Sequence, residues 1–309
     1  MRIDLHSHSD ASDGTRPPSE VVRRARANGV DVLALTDHDT VAGWDEAAAA
    51  LPDGLTLVPG VELSCKQDGR SLHLLGYLFD PSEPVLAAEL ARIRDDRVIR
   101  ARTMVERLRE LGADVTWERV RELARGEAVG RPHIAQAMVE AGVVASPDEA
   151  FTLDWIAEGG RAHADRYALD PRRAVRLVRV AGGVCVLAHP RTRRGGYVFS
   201  DEVIAGLAAA GLAGIEVDHP DQDAGERAAL RGLARDLGLA ATGSSDDHGA
   251  LTGDRLGAET TAPDAYAALV AASTGTGVVS SGAEAVSSGA DAVSSGADAV
   301  RPGPVPEAR

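Results

Sequence analysis

Apolar residues fall in short runs separated by longer amphipathic stretches. Seven runs have strand character: Ile3–Leu5, Val32–Leu35, Thr56–Val58, Leu72–Leu75, Val184–Leu187, Gly214–Val217 and Leu239–Ala241. Between several of them the apolar positions shift to helical spacing, with start and stop residues at the ends. Val21, Val22 and Ala25 form a stripe that ends at Asn28-Gly29, a pair suited to closing a helix. Asp170-Pro171 opens a helix through Val180, with an N-cap and a proline at the first position, and Gly182-Gly183 ends it. Ser200 caps a helix ending at Gly211, and residues 223–238 form another ending at Gly238. This alternation predicts parallel strands with covering helices.

The middle and the end follow other patterns. From Pro84 to His163 there is almost no strand signal. Leu86, Leu90, Ile93, Met104, Val105, Leu108 and Leu111 keep helical spacing until Gly112. Thr116 caps a short helix, Pro132 starts one running to Ala141, and Ser146-Pro-Asp-Glu149 is a capping box. The block predicts a helical insertion in an α/β domain. From Val279 the chain reads VSSGAEA, VSSGADA, VSSGADA, with a Pro-rich terminus. The seven-residue period invites a coiled coil. Each repeat, however, carries one Gly, two Ser and one large apolar side chain, so a disordered tail is expected.

Composition removes several function classes. The 309 residues carry a formal net charge of −14, which argues against coating double-stranded nucleic acid through phosphate contacts. No run reaches the roughly 18 apolar residues of a membrane span. The first residues, Met1-Arg2-Ile3-Asp4, do not open a signal peptide. Cys65 and Cys185 sit in apolar surroundings without a CxxC, as reduced thiols do, so a cytoplasmic protein is expected.

Histidines and acids give the sequence its chemistry. The first strand run is followed by His6 and His8, with Asp13 in the next loop. The second is followed by Asp37, His38 and Asp39, and the third by Glu62. The fourth carries His73 in its second residue, and the fifth is followed by His189. The sixth is followed by Asp218 and His219, and the seventh by Asp246, Asp247 and His248. In barrel-like parallel folds these strand ends share one face, where the active site lies. Residues two apart on a strand point the same way, so His6 and His8 can reach one cation, as can Asp246 and His248. Singly, each has an ordinary alternative: an incidental HxH, a surface ion pair at His38, a satisfied core histidine at His73. Together they predict a multinuclear site for Zn, Mn or Fe. Asp4 is either a support for a ligand imidazole or a capped loop acid.

On these residues the sequence resembles the polymerase and histidinol phosphatase (PHP) family of metal-dependent phosphoesterases. The matching segments are IDLHSHSDASDG at 3–14, LALTDHDT at 33–40, PGVELS at 59–64, HLLGY at 73–77, VLAHP at 186–190 and SSDDHG at 244–249. The resemblance implies a distorted, mostly parallel (β/α)7 barrel with two or three divalent cations. Carried over by position, His6, His8, Glu62 and Asp246 hold the first metal. Glu62 bridges to a second, completed by His73 and His189, and Asp13, His38 and His248 hold the third. Asp13 stands where some relatives have a histidine. The implied organisation is a discontinuous barrel over 1–82 and 165–272, a helical insertion over 83–164 covering the site, and a tail over 273–309.

GRPHIA at 130–135 resembles the subgroup that removes a phosphate from nucleoside 3′,5′-bisphosphates, with related members trimming short RNA from the 5′ end. That resemblance implies Arg131 and His133 as catalytic and substrate-binding residues. Arg191 or Arg193 is expected to grip a second phosphate, His219 is a candidate substrate contact, and His163 is expected to be structural or exposed. The expected reaction is hydrolysis of a nucleotide monoester by metal-activated water. Alternatives are an exoribonuclease acting on short 5′-phosphorylated RNA, a histidinol-phosphate-type phosphatase, a non-enzymatic metal-binding module, and a zinc hydrolase of amides.

Overall fold

In the computed structural model, which describes residues 1–126, 128–192 and 198–281, seven strands follow one another around a sheet in chain order. They are β1 (Ile3–Asp4), β2 (Val32–Leu35), β3 (Thr56–Gln67), β4 (Arg70–Tyr77), β5 (Val184–Leu187), β6 (Gly214–Asp218) and β7 (Ala240–Gly243). The two ends meet just past β1 and β7. There Ser7 bridges Asp247, the His8 amide donates to the Asp247 carbonyl at 2.9 Å, and the Asp246 amide donates to the His6 carbonyl at 2.9 Å. The result is a nearly closed barrel.

Alternate residues of each strand face opposite ways, and both faces are buried, so the runs read as continuously apolar. Ile3, Val32, Ala34, Val58, Leu75 and Val186 make one cluster, joined by Leu269 of α10 (Pro263–Ala272). Leu33 and Leu35 face away from it and pack with Val21 and Val22 of α1 (Pro18–Ala27). A short α2 (Trp44–Ala49) adds Ala47 to that layer. No described helix is long and apolar enough to cross a membrane.

The third and fourth strands depart from the expected parallel order. β3 continues past Val58 to Gln67, so Glu62 lies within the strand, and β4 returns antiparallel. The reason is the two-residue loop Asp68-Gly69, with φ of 52° and 78°. Two left-handed central residues make a hairpin turn whose twist matches the strands, and two residues cannot form a crossover. β4 also pairs antiparallel with β5. His73, four residues into β4, therefore sits opposite Ser64 rather than beyond a strand end.

The block between β4 and β5 is helical. It comprises α3 (Pro84–Glu110), α4 (Trp117–Leu123), α5 (Arg131–Glu140) and α6 (Pro147–Ala150). Thr116 and Ser146 accept the expected capping bonds from Arg119 N and Glu149 N. α3, with 27 residues, is about 40 Å long and spans two environments. Its Leu86, Leu90 and Ile93 pack with the barrel layer, whereas Ala101, Met104, Val105 and Leu108 join a separate cluster with Val120, Ile134 and Met138. Arg97 and Arg100 fall between the two stretches, and both are buried.

The chain returns to the barrel through α7 (Pro171–Val180) before β5, and α8 (Asp201–Ala210) and α9 (Ala224–Leu237) precede β6 and β7. Asp170 caps α7 as expected, but the Ser200 hydroxyl makes no capping bond to α8. The first part of the expected tail is held against the barrel. The amides of Thr274 and Gly275 donate to Gly182 O at 2.7 and 3.0 Å, and β8 (Val279–Ser280) pairs antiparallel with β3. Backbone bonds secure this piece, and such bonds leave no trace in side-chain periodicity. The remaining repeats, from 282, lie outside the described residues.

Candidate metal centre

Glu62 is the hub of the centre. Its Oε2 lies 3.3 Å from His6 Nε2, 3.2 Å from His8 Nε2 and 3.1 Å from His38 Nδ1. Its Oε1 lies 2.7 Å from His73 Nδ1 and 3.1 Å from His189 Nε2. Asp246 Oδ1, three residues past β7, faces two of these imidazoles, at 3.4 Å from His6 Nε2 and 3.3 Å from His8 Nε2. On the far side, Asp13 lies 3.8 Å from His8 Nδ1, 3.7 Å from His38 Nε2 and 3.5 Å from His248 Nε2. All nine expected donors therefore meet at one end of the barrel.

Their grouping differs in detail from the one implied by resemblance. The donor sets are His6, His8 and Asp246; His6, Glu62 and His189; His38, Glu62 and His73; and His8, Asp13, His38 and His248. His8 and His38 each belong to two neighbourhoods, because each imidazole presents one nitrogen to Glu62 and the other to Asp13.

The donor set fits divalent cations. His8 Nδ1, His38 Nδ1 and His73 Nδ1 are buried without a hydrogen-bond partner. Two of them touch a Glu62 oxygen, so the contact is close but not aligned for N–H···O. Such nitrogens aim lone pairs at a point shared with the carboxylate. His6 Nε2 and His8 Nε2 stand 3.0 Å apart. The separations of 3.0–3.4 Å around them match the edges of a polyhedron with ligand distances of about 2.1 Å.

Electrostatics point the same way. Burial opposes charge on Glu62, Asp246 and Asp13, but the surrounding histidines outweigh it and hold all three well below the usual carboxylate range. Burial also opposes charge on His6 and His8. The carboxylates of Asp246 and Glu62 overcome it, lifting His6 well above its ordinary value and His8 to about 10. For His38 and His73 burial wins; His38 falls to about 3 and stays neutral, with its lone pair free for a cation.

An outer layer fixes these donors. Glu216, in β6, accepts from His6 Nδ1 at 3.1 Å and from the His189 amide at 2.7 Å, and it bonds the Ser244 hydroxyl. This places the His6 proton on Nδ1 and leaves Nε2 facing the cluster. Glu216 was not anticipated; its only sequence signal is a lone acid between Ile215 and Val217. Asp4 does not reach an imidazole. It accepts from the amides of Ser245 at 2.9 Å and Gly257 at 2.8 Å, tying β1 to the chain after β7, and burial raises it to about 6. Asp37 accepts from Ser9 N, Ser9 Oγ and Ser12 Oγ at 2.6–2.8 Å and so shapes the loop carrying Asp13. Asp247 holds the amides of Gly249 and Arg255, both at 2.9 Å. Asp39, His189 and Asp246 have positive φ of 56°, 28° and 49°, a strained backbone at three turns of the site.

The remaining candidates separate. His219 Nδ1 accepts from Asp221 N at 3.1 Å, so its proton is on Nε2, 3.2 Å from Asp246 Oδ2. It orients Asp246. Asp218 turns outward to Arg231. His133 Nδ1 accepts from Gly130 N at 3.0 Å, and His133 lines a cleft of about 180 Å³ with Asp10, Asp13 and Gln136. Arg131 stands 5.6 Å from the centre of the Phe151 ring. Arg191 pairs with Asp201, Arg193 lies outside the described residues, and His163 is not among the donor groups.

The PHP domain family matches residues 4–114. The chain is 35% identical over 248 residues to a 5′-3′ exoribonuclease of Haemophilus influenzae, covering 80% of this chain and 90% of the relative. It is 35% identical over 255 residues to a 3′,5′-nucleoside bisphosphate phosphatase of Chromobacterium violaceum, covering 82% and 89%. A phosphoribosyl 1,2-cyclic phosphate 1,2-diphosphodiesterase of Eggerthella lenta is 35% identical over 254 residues, covering 81% and 95%. Among solved structures, a candidate metal-dependent phosphoesterase from Bifidobacterium adolescentis superposes with a TM-score of 0.81 at 34% identity, covering 88% of this chain and 96% of the other. With nine metal-capable residues, Glu62 among them, gathered on this barrel, and relatives of this identity along most of its length, the chain belongs to the PHP family of metal-dependent phosphoesterases.

Proposed function

We propose that the chain is a cytoplasmic phosphatase removing the 3′-phosphate of nucleoside 3′,5′-bisphosphates, with two or three Mn²⁺, Fe²⁺ or Zn²⁺ ions. The observation that carries the reading is the convergence of His6, His8, His38, His73 and His189 on one carboxylate, Glu62. In the proposed assignment His6, His8, Glu62 and Asp246 hold one ion; Glu62, His73 and His189 a second; and Asp13, His38 and His248 a third. Imidazole with carboxylate suits all three metals. Bound divalent cations supply Lewis acidity and lower the pKa of water, which provides a nucleophile at neutral pH.

The protein's own groups do the rest. Glu216 and His219 keep His6 and Asp246 in position. The resemblance assigns Arg131 to a substrate phosphate. His133, whose Nδ1 is already an acceptor, holds a proton on Nε2 for a phosphoryl or leaving oxygen.

The test is phosphate release from adenosine 3′,5′-bisphosphate with added Mn²⁺. Turnover should be absent in the His6→Ala, His8→Ala double variant, with metal content reduced. Unchanged turnover would falsify the metal assignment. The exoribonuclease is a second reading, because that relative is equally identical. Higher kcat/KM on 5′-phosphorylated dinucleotides than on the bisphosphate would favour it; a preference for histidinol phosphate or a 1,2-cyclic ribose phosphate would displace both.

A further inference from the structure

The junction crossed by α3 holds a cluster of cations that the centre does not use. Arg97 and Arg100 are 5% and 7% exposed. Arg100 Nε and Arg166 Nη1 are buried with no hydrogen-bond partner. Arg97 donates to Asp39 Oδ2 at 2.7 Å and to Ser64 Oγ at 2.8 Å. Arg131, at the start of α5, completes the group. Burial, and then the neighbouring guanidiniums, lower the pKa of Arg100 and Arg166, the latter to about 10. Asp39 is the carboxylate that acts on Arg97, Arg100 and Arg166, and it also accepts from Ser64. Among the described residues one buried acid faces this group, with the exposed Glu158 acting on Arg131, and that does not balance the guanidiniums. Buried N–H groups left unpaired are costly, and a guanidinium fork matches phosphate oxygens in pairs.

The position of the cluster is equally informative. Ser64 and Glu62 are two residues apart on β3, so they point the same way and lie about 7 Å apart along the strand. Ser64 is also opposite His73, and Asp39 adjoins His38. Arg97 thus reaches the strand and the turn that carry metal donors, and Arg100, Arg131 and Arg166 lie close enough to it to act on one another.

We infer that Arg97, Arg100, Arg131 and Arg166 form an anion subsite for the non-reacting phosphate, so that the protein selects nucleotides carrying two phosphoryl groups. This rests on the phosphatase reading above and replaces Arg191, which is paired with Asp201, as the grip on that phosphate.

Two measurements on Arg100→Gln, Arg166→Gln and the control Arg231→Gln test it. The first is the ratio of kcat/KM for adenosine 3′,5′-bisphosphate to that for adenosine 3′-monophosphate, with Mn²⁺. Loss of one charge-assisted contact should lower the ratio by about ten- to a hundredfold in the two subsite variants, with metal content retained, and leave it unchanged in Arg231→Gln. An equal slowing of both substrates, or no change in the ratio, overturns the proposal. The second is calorimetric titration of inorganic phosphate into chelator-treated protein, which reads the subsite without turnover. Binding should be present in the parent protein and weakened in both subsite variants. Absence from the parent, or equal binding in all three, overturns it. Arg100→Lys keeps the charge and should recover part of the binding, which covers the case of a poorly folded glutamine variant. If p-nitrophenyl phosphate is hydrolysed but no nucleotide is, the substrate reading fails, and the phosphate titration still decides the subsite.

Discussion

A carboxylate with two oxygens and an imidazole with two nitrogens explain much of what the centre does. Glu62 can face five histidines because each oxygen serves a different set. The donors themselves were legible in sequence. HxH and DxH place side chains two residues apart on one side, a spacing set by the backbone alone. Their supports were not. Glu216 lies in an apolar strand where nothing local marks it as the partner of His6, 210 residues away. Asp4 was the expected support and instead holds amides, since its carboxylate points to the chain beyond β7. Replacing Glu216 by Gln preserves shape but removes the charge that orients His6. Metal affinity should fall about ten- to a hundredfold by competitive chelator titration. An unchanged affinity would mean that His6 is held by packing alone.

At the scale of elements, the strand runs and most helix caps follow from apolar spacing and terminal residues. The β3–β4 hairpin does not, because its signal is one dipeptide, Asp68-Gly69, inside a run otherwise read as two separate strands. That turn matters for chemistry: it brings His73 back along β3 to face Glu62. A Cβ at Gly69 would meet nothing within 4 Å, so substitution there probes backbone conformation only. Gly69→Ala should cost about 1 kcal/mol in denaturant unfolding. A neutral result would show that the φ of 78° is not required for the hairpin.

The whole molecule couples barrel, insertion and charge. The net charge of −14 includes Glu62, Asp13 and Asp246, which the centre turns toward cations. Cation binding to the folded state alone adds about 2.7 kcal/mol at a hundred times the dissociation constant. For a chain of this size that corresponds to roughly 4 °C in Tm. Mn²⁺ should therefore raise the melting temperature of chelator-treated protein, and the His6→Ala, His8→Ala double variant should lose most of the shift. A full shift in that variant would place the stabilising ion elsewhere.

Local rules were enough to point to histidines and acids near the strand runs and to the helical character of residues 84–163, because spacing along a backbone needs no knowledge of distant residues; the family resemblance narrowed those candidates to nine. Tertiary structure alone decided which nitrogen of His8 faces Glu62, why Glu216 lies behind His6, and where α3 leaves one core and enters another. It is at that crossing that Arg97 and Arg100 become buried beside Asp39 and Ser64. In sequence they are two of many arginines on an amphipathic helix. Burial of both, and the missing partner of Arg100 Nε, arise only when α3 packs against the barrel and single them out.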